Sequence, residues 1–178
     1  IGFGESEIRY DWRNLSIGFG NQSLWLGPGR ENALILSNNA SGFPKIDVGF
    51  RKTKTSLGTF EGLAFWGCLT PSDYFDTDEE SRYEEHSLYT GIALAYSPPF
   101  WKNFTLGINR VTITQWSNIN FQSLSQQFNL SYDSGYPEGG QLFSVSGDWF
   151  MSEIGFNAYF EFGRYDYSST RTLILMPS

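Results

Sequence analysis

The chain has 178 residues with a formal net charge of −7, and it carries 19 Gly, 16 Phe, 10 Tyr, 6 Trp and a single cysteine, Cys68. That length suits one domain with a real core, and the aromatic and glycine enrichment favours strands with tight turns over helices. The charge excludes a nucleic-acid partner, which needs a basic face, the lone cysteine excludes an internal disulfide and reads as a small buried hydrophobe, and no apolar run is long enough for a spanning helix.

In chain order, Glu5 to Phe19 alternates with Ile8, Tyr10 and Trp12 on one parity and Leu15, Ile17 and Phe19 on the other. This predicts one strand with a β-bulge, because one extra residue flips every later side chain. Gly18 and Gly20 flank the way into Leu24-Trp25-Leu26, and Pro28 and Gly29 then break the strand. Arg30 to Leu36 is too short for periodicity to decide between helix and strand. Ser37 to Pro44 is turn chemistry throughout.

Lys45 to Arg51 alternates cleanly, with Ile46, Val48 and Phe50 opposite Lys45, Asp47, Gly49 and Arg51. A basic, Thr-rich turn is expected at Lys52 to Ser56. In the strand from Gly58 to Leu69, Phe60, Gly62, Ala64, Trp66 and Cys68 oppose Glu61, Leu63, Phe65 and Leu69. Both faces are largely apolar there, so the inner side of the sheet is expected to be locally packed. Pro71 to His86 follows as the longest polar loop, with seven carboxylates.

Ser87 to Tyr96 reads as a strand with one face of small residues, Gly91, Ala93 and Ala95. Ser97 to Trp101 is a sharp turn, and the return strand runs from about Asn103 to Gln115. There Phe104, Leu106 and Ile108 hand the apolar parity to Val111 and Ile113, which predicts a second bulge near Asn109 and Arg110. Gln115 to Gly140 reads mostly as loop, with a strand candidate at Phe128 to Tyr132. In the last third, Phe143, Val145, Gly147, Trp149 and Met151 oppose Leu142, Ser144, Ser146 and Asp148. After a Met151-Ser152 turn, Ile154, Phe156, Ala158, Phe160 and Phe162 oppose Glu153, Gly155, Asn157, Tyr159 and Glu161.

Such hairpins fit either a soluble β-sandwich, whose apolar face is the core, or a membrane barrel, whose apolar face meets lipid. Three features favour an antiparallel transmembrane β-barrel. The segments run about ten residues, enough for a tilted strand to cross the hydrocarbon layer. Short turns alternate with long polar loops. Tyr96, Phe100, Trp101, Trp116, Trp149, Phe150 and Tyr165 gather at strand ends, as an interfacial girdle would.

Candidate chemistry is sparse. Asp76-Thr77-Asp78 in the acidic loop (Asp73, Asp76, Asp78, Glu79, Glu80, Glu84 and Glu85) has a calcium-like spacing but lacks the Gly and bidentate Glu of a calcium hand. A solvated loop is the preferred account, and no metal or cofactor is expected. Asp148, Glu153 and Glu161 share a polar face, which suits a lumen lining better than a glycosidase pair. His86 is the only histidine, so His-based triads and multi-His metal sites are excluded. The candidate ligand residues are Trp25, Trp66, Tyr74, Tyr83 and Tyr159, with Asp73 beside them, because aromatic faces near polar acceptors suit pyranose rings.

The segments LWLGPG and LILSNNASGFP, with the strand after them, resemble the Wzi-like capsule assembly proteins. That family shares a W-x-G-x-G turn, an L-S-N-N-A-x-x-F-P segment and then a strand. LGTFEGLAFWGCL, SLYTGIALAYSP, NFTLGINR and GDWFMSEIGFNAYFEFGRYD fit in order behind them. The resemblance implies a non-enzymatic outer-membrane β-barrel that holds capsular or other extracellular polysaccharide at the cell exterior, with that polymer and outer-membrane lipid as partners. The family barrel is larger than this chain. Residues 1–178 are therefore expected to be one barrel segment of about 8–10 strands, truncated at both ends, since Ile1 follows no signal peptide and Pro177-Ser178 close no amphipathic strand. The alternatives are a soluble, secreted carbohydrate-binding β-sandwich and a glycan-acting hydrolase using lumen carboxylates.

Overall fold

Period-two alternation builds strands along the whole chain, and each strand pairs antiparallel with the next. The computed structural model describes residues 4–38, 41–71, 86–128 and 140–166. Its strands are β1 (Glu7–Trp12), β2 (Leu15–Gly20), β3 (Lys45–Thr55), β4 (Gly58–Leu69), β5 (Ser87–Ser97), β6 (Phe104–Gln115), β7 (Gly140–Met151) and β8 (Phe156–Asp166). They form one eight-stranded sheet in sequential order, β1 to β8, whose two ends are not paired to each other. Short turns at residues 13–14, 56–57, 98–103 and 152–155 lie at one end. At the other end β2, β4 and β6 run out into the long connections 21–44, 70–86 and 116–139.

Register corrects several sequence expectations. The first parity change is a hairpin turn, not a bulge: Arg13 sits at φ 54, and Trp12 pairs with Leu15. A two-residue turn keeps cross-strand partners on one face, so Ile8, Tyr10, Trp12, Leu15, Ile17 and Phe19 all point outward. The bulge expected near Asn109 and Arg110 is also absent, since pairing with β5 and β7 runs unbroken through both residues. Val111 and Ile113 instead face inward, opposite in sense to Leu106 and Ile108. The one shift in register falls between Phe50 and Thr53. Beyond it β3 continues to Thr55, so the expected Lys52–Ser56 turn shrinks to Ser56-Leu57.

Two connections differ as well. The last turn spans residues 152–155 and contains Ile154, with Gly155 at φ 66 supplying the left-handed corner. Residues 116–128, expected as loop, hold a 3-10 turn at Trp116–Asn118, a helix α1 (Phe121–Ser125) and a second 3-10 turn at Gln126–Phe128. Phe128 therefore closes a turn and opens no strand, and the rest of that strand candidate lies outside the described residues. Arg30 to Leu36 is neither helix nor strand apart from one bridge, in which Leu26 N–H donates to the Leu36 carbonyl at 2.9 Å.

The outer face is apolar and open. Ile8, Phe19, Ile46, Val48, Ile108, Phe156, Phe160 and Phe162 are all exposed there, Phe162 by 69%. Among the described residues no second sheet covers them, as a soluble sandwich would require. Toward the short turns this face ends in an aromatic cluster, where Trp101 stacks on Phe104 at 4.0 Å and meets Trp149 edge-on at 5.7 Å.

The core lies on the concave inner face. Residues 21–38 and 41–44 turn inward from β2 and pack across β4 to β8. Leu26 meets Phe65, Tyr89 and Val111, with Leu24, Ile35, Leu36, Phe43, Ile113 and Leu142 around them. Phe43 lies edge-on to Tyr89 at 5.4 Å. Burying side chains such as Leu26, Phe65 and Val111 contributes about 1.5–3 kcal/mol each. Polar ties fix the rim: Glu161 accepts from Leu34 N–H at 3.0 Å and from Ser144 Oγ at 3.0 Å, and Lys45 donates to the Gln22 carbonyl. The locally packed inner side expected around β4 is this plug. Among the described residues no helix is long and apolar enough to cross a membrane, which says nothing of strands.

Candidate functional site

The plug fills only the half of the concave face nearer the long connections. In the other half, inward positions carry small residues, Ser16, Gly49, Ala93, Ala95, Gly107 and Ser146, which leave space at the wall. Packing of the wall itself demands some of this: a Cβ on Gly107 would lie 2.4 Å from Ser146 Oγ. The result is a cavity of about 600 Å³.

Its roof is the Trp25–Pro28 turn. Gly27 takes φ 146, a backbone angle that side chains disfavour, and a Cβ there would also meet Glu161 Oε2 at 2.8 Å. The turn therefore seats against β8 and holds Trp25 over the space below. The walls carry Arg9, Glu61, Thr105, Asn109 and Asp148. Most are already oriented. Asn157 donates to Asp148 Oδ1 at 2.6 Å, Asn109 donates to Ser144 Oγ at 3.2 Å, and Thr105 shares a 2.9 Å hydrogen bond with Ser97. Arg9 pairs with Glu7 and lies 3.0 Å from Asp47 Oδ1, so its charge is largely neutralised within the wall. Glu61 makes no hydrogen bond to a described residue and is free to accept from a ligand.

Of the sequence candidates, Trp25 lines this cavity, and Tyr159 stands on the same inner face in register with Asp148. Trp66 is on the opposite face. Its indole N–H donates to the Leu124 carbonyl at 2.8 Å and its ring lies 6.3 Å from Phe128, so both its face and its donor serve packing. Asp73, Tyr74 and Tyr83, with the other acidic-loop residues, lie outside the described residues. Sequence reasoning missed Arg9, Glu61, Thr105 and Asn109. The available signal was the run of Gly, Ala and Ser at inward positions of β3, β5, β6 and β7, which marks where the wall stays thin.

The carboxylates do not converge as a glycosidase pair. Glu161 ties down the plug, Asp148 is held by Asn157, and Glu153 sits in the turn at 152–155. Among the described residues no group of three or more His, Cys, Asp or Glu side chains could hold a metal ion. What the arrangement offers is an aromatic residue beside neutral and acidic hydrogen-bonding groups.

Comparison with known protein families gives a match of residues 2–138 to the model described as capsule assembly protein Wzi. No curated protein and no solved structure matches the chain.

Proposed function

The chain belongs to the Wzi capsule assembly family of outer-membrane β-barrels, and from that premise we propose that it engages capsular polysaccharide without chemistry, in part through the cavity beneath Trp25. The observation that carries this reading is that Trp25, with Gly27 and Pro28, lines a cavity bordered by Glu61, Thr105, Asn109 and Asp148. A pyranose presents C–H groups that stack on an aromatic face and hydroxyls that need acceptors and donors. Tyr159 extends the aromatic surface on the same face. Asp73, Tyr74 and Tyr83 join the proposal by residue type and by their position in the loop between β4 and β5. The apolar outer face meets lipid in this reading, and the end with the long connections faces outward, as outer-membrane barrels carry their longer loops outside.

The test is binding of purified capsular oligosaccharide to the full chain in detergent micelles, followed by calorimetry. Trp25→Ala should weaken binding about tenfold, the equivalent of about 1.4 kcal/mol, while Trp66→Ala at matched folding leaves it unchanged. Equal affinity of Trp25→Ala and the native chain removes the cavity from the reading. New reducing ends in the oligosaccharide would replace binding by hydrolysis. Recovery of the folded chain in the aqueous phase without detergent would restore the soluble sandwich.

A further inference from the structure

The lipid-facing wall is mainly apolar, and its polar side chains gather toward the long connections, where Arg164 of β8 is exposed and a row on β4 to β7 is covered. There Trp66, Thr90, Thr112 and Gln141 pair in sequence across β4 to β7, with Arg110 one position closer to the sheet centre. Thr90, Thr112 and Arg110 are outward in parity, yet each is at most 5% exposed. The two threonine hydroxyls bond each other at 2.7 Å, and Arg110 donates to Gln141 Oε1 at 2.9 Å.

What hides this row is the 116–128 segment. Its second 3-10 turn packs on β5 and β6, and Trp66 reaches up to the Leu124 carbonyl. The segment is fixed at its start by reciprocal bonds, Ser123 N–H to Asn120 Oδ1 at 2.9 Å and Asn120 N–H to Ser123 Oγ at 2.8 Å. Ser123 and Gln127 point down and are buried, whereas Trp116, Phe121 and Leu124 are exposed, Phe121 by 87%, and Phe128 is half exposed beside the Trp66 ring. Phe121 and Leu124, three residues apart on α1, lie on one side of it. Residues 116–128 (WSNINFQSLSQQF) contain no charged side chain.

We propose that residues 116–128 form an interfacial strap that beds in the boundary between headgroups and acyl chains of the leaflet at the long-connection end. The strap exchanges a polar row, costly to show to lipid, for Phe, Leu and Trp side chains suited to that boundary. The occupant of its outer side is lipid because these side chains continue, through Trp66 and its cross-strand partner Ile46, the exposed apolar wall of β1 to β3, and lie at the strand ends where such a boundary falls. The inference rests on the barrel reading above, and the experiment separates the two.

In a Cys68→Ala background, a fluorophore is attached at Phe121→Cys, and separately at Phe160→Cys in the wall and Leu57→Cys in a short turn. Each full-length variant is folded into phosphatidylcholine and phosphatidylglycerol vesicles. Quenching is read with nitroxides placed shallow or deep on the acyl chains, and with aqueous iodide. The Phe121 position should be quenched at least twofold more by shallow than by deep nitroxide and be protected from iodide relative to Leu57. Quenching by iodide alone, or by neither agent, overturns the strap, the second result pointing to a protein occupant. A Phe160 label insensitive to deep nitroxide overturns the barrel reading instead. Phe160 quenched and Phe121 not leaves the barrel standing and removes only the strap.

Discussion

Gly91 sits on the inner face of β5 directly beneath the ring of Phe65, and replacing it by alanine should loosen the plug. An added Cβ would lie 2.4 Å from Phe65 Cε1, 2.5 Å from Cζ and 2.8 Å from Val111 Cγ1. Neither neighbour has room to retreat, because Phe65 and Val111 are both 0% exposed. Phe65 also touches the plug, with its ring 6.0 Å from that of Phe43 and 5.6 Å from that of Tyr89. Overpacking of this kind costs about 1–3 kcal/mol. The reduced freedom of the unfolded chain offsets about 0.4–1 kcal/mol of that. The net expectation is a loss of about 1–2 kcal/mol, or a urea midpoint lower by roughly 0.7 M at a slope of about 2 kcal/mol per M. The assay is the folded fraction in lipid vesicles, read by the difference in gel mobility between heated and unheated samples. Phe65→Leu should relieve the clash, so the double variant should be more stable than the sum of the single losses by about 1 kcal/mol. A native midpoint for Gly91→Ala, or a strictly additive cycle, would refute the packing described for β4, β5 and the plug.

Phe160→Arg, on the exposed outer face, should cost about 2–4 kcal/mol of folding into vesicles if that face lies in hydrocarbon, and unchanged folding would count against lipid there. Gln127 is buried with neither amide atom hydrogen-bonded to a described residue, so Gln127→Leu should raise the urea midpoint by the equivalent of about 1–3 kcal/mol; a fall would mean the amide has a partner. The Glu5 carboxyl is held below its ordinary value of 4.5 chiefly by the Ser23 hydroxyl and also by the Ser23 N–H. A depressed carboxyl pKa contributes stability above the ordinary value and loses it as pH falls through the lowered one. The Ser23 amide resonance should therefore hold constant from neutral pH to about 5 and move only below 4.5, and a transition at neutral pH would contradict the contact.

Alternation alone located β3 to β8 but ran β1 and β2 together as one strand; it worked where one face is apolar and the other small or polar. It failed where the faces exchange environments. In the half near the long connections, Tyr89, Val111 and Ile113 face inward against the plug, and Thr90 and Thr112 face outward under the strap. That exchange imitates a register slip in sequence, and only the pairing of Asn109 and Arg110 tells them apart. The Arg13-Asn14 corner misled in the same way, since a two-residue hairpin and a bulge change parity alike. At the site, Trp25 was legible because a Gly-Pro turn presents its aromatic neighbour. Glu61 and Asn109 were not, since what they face is set by residues 27 and 28 folding back from far along the chain. Trp66 read as a binding aromatic because nothing in its own strand announces the 116–128 cover.

Residues 21–44 leave the chain before β3 yet rest on strands that are made later. Leu26 and Phe43 find their seats only once β4, β5 and β6 stand side by side, and Leu34 finds Glu161 only after β8 has arrived. This segment thus precedes in the chain the strands it rests on and settles only after them. During assembly its burial reports that the wall around it has been laid, and a protease offered at intervals would read that schedule directly.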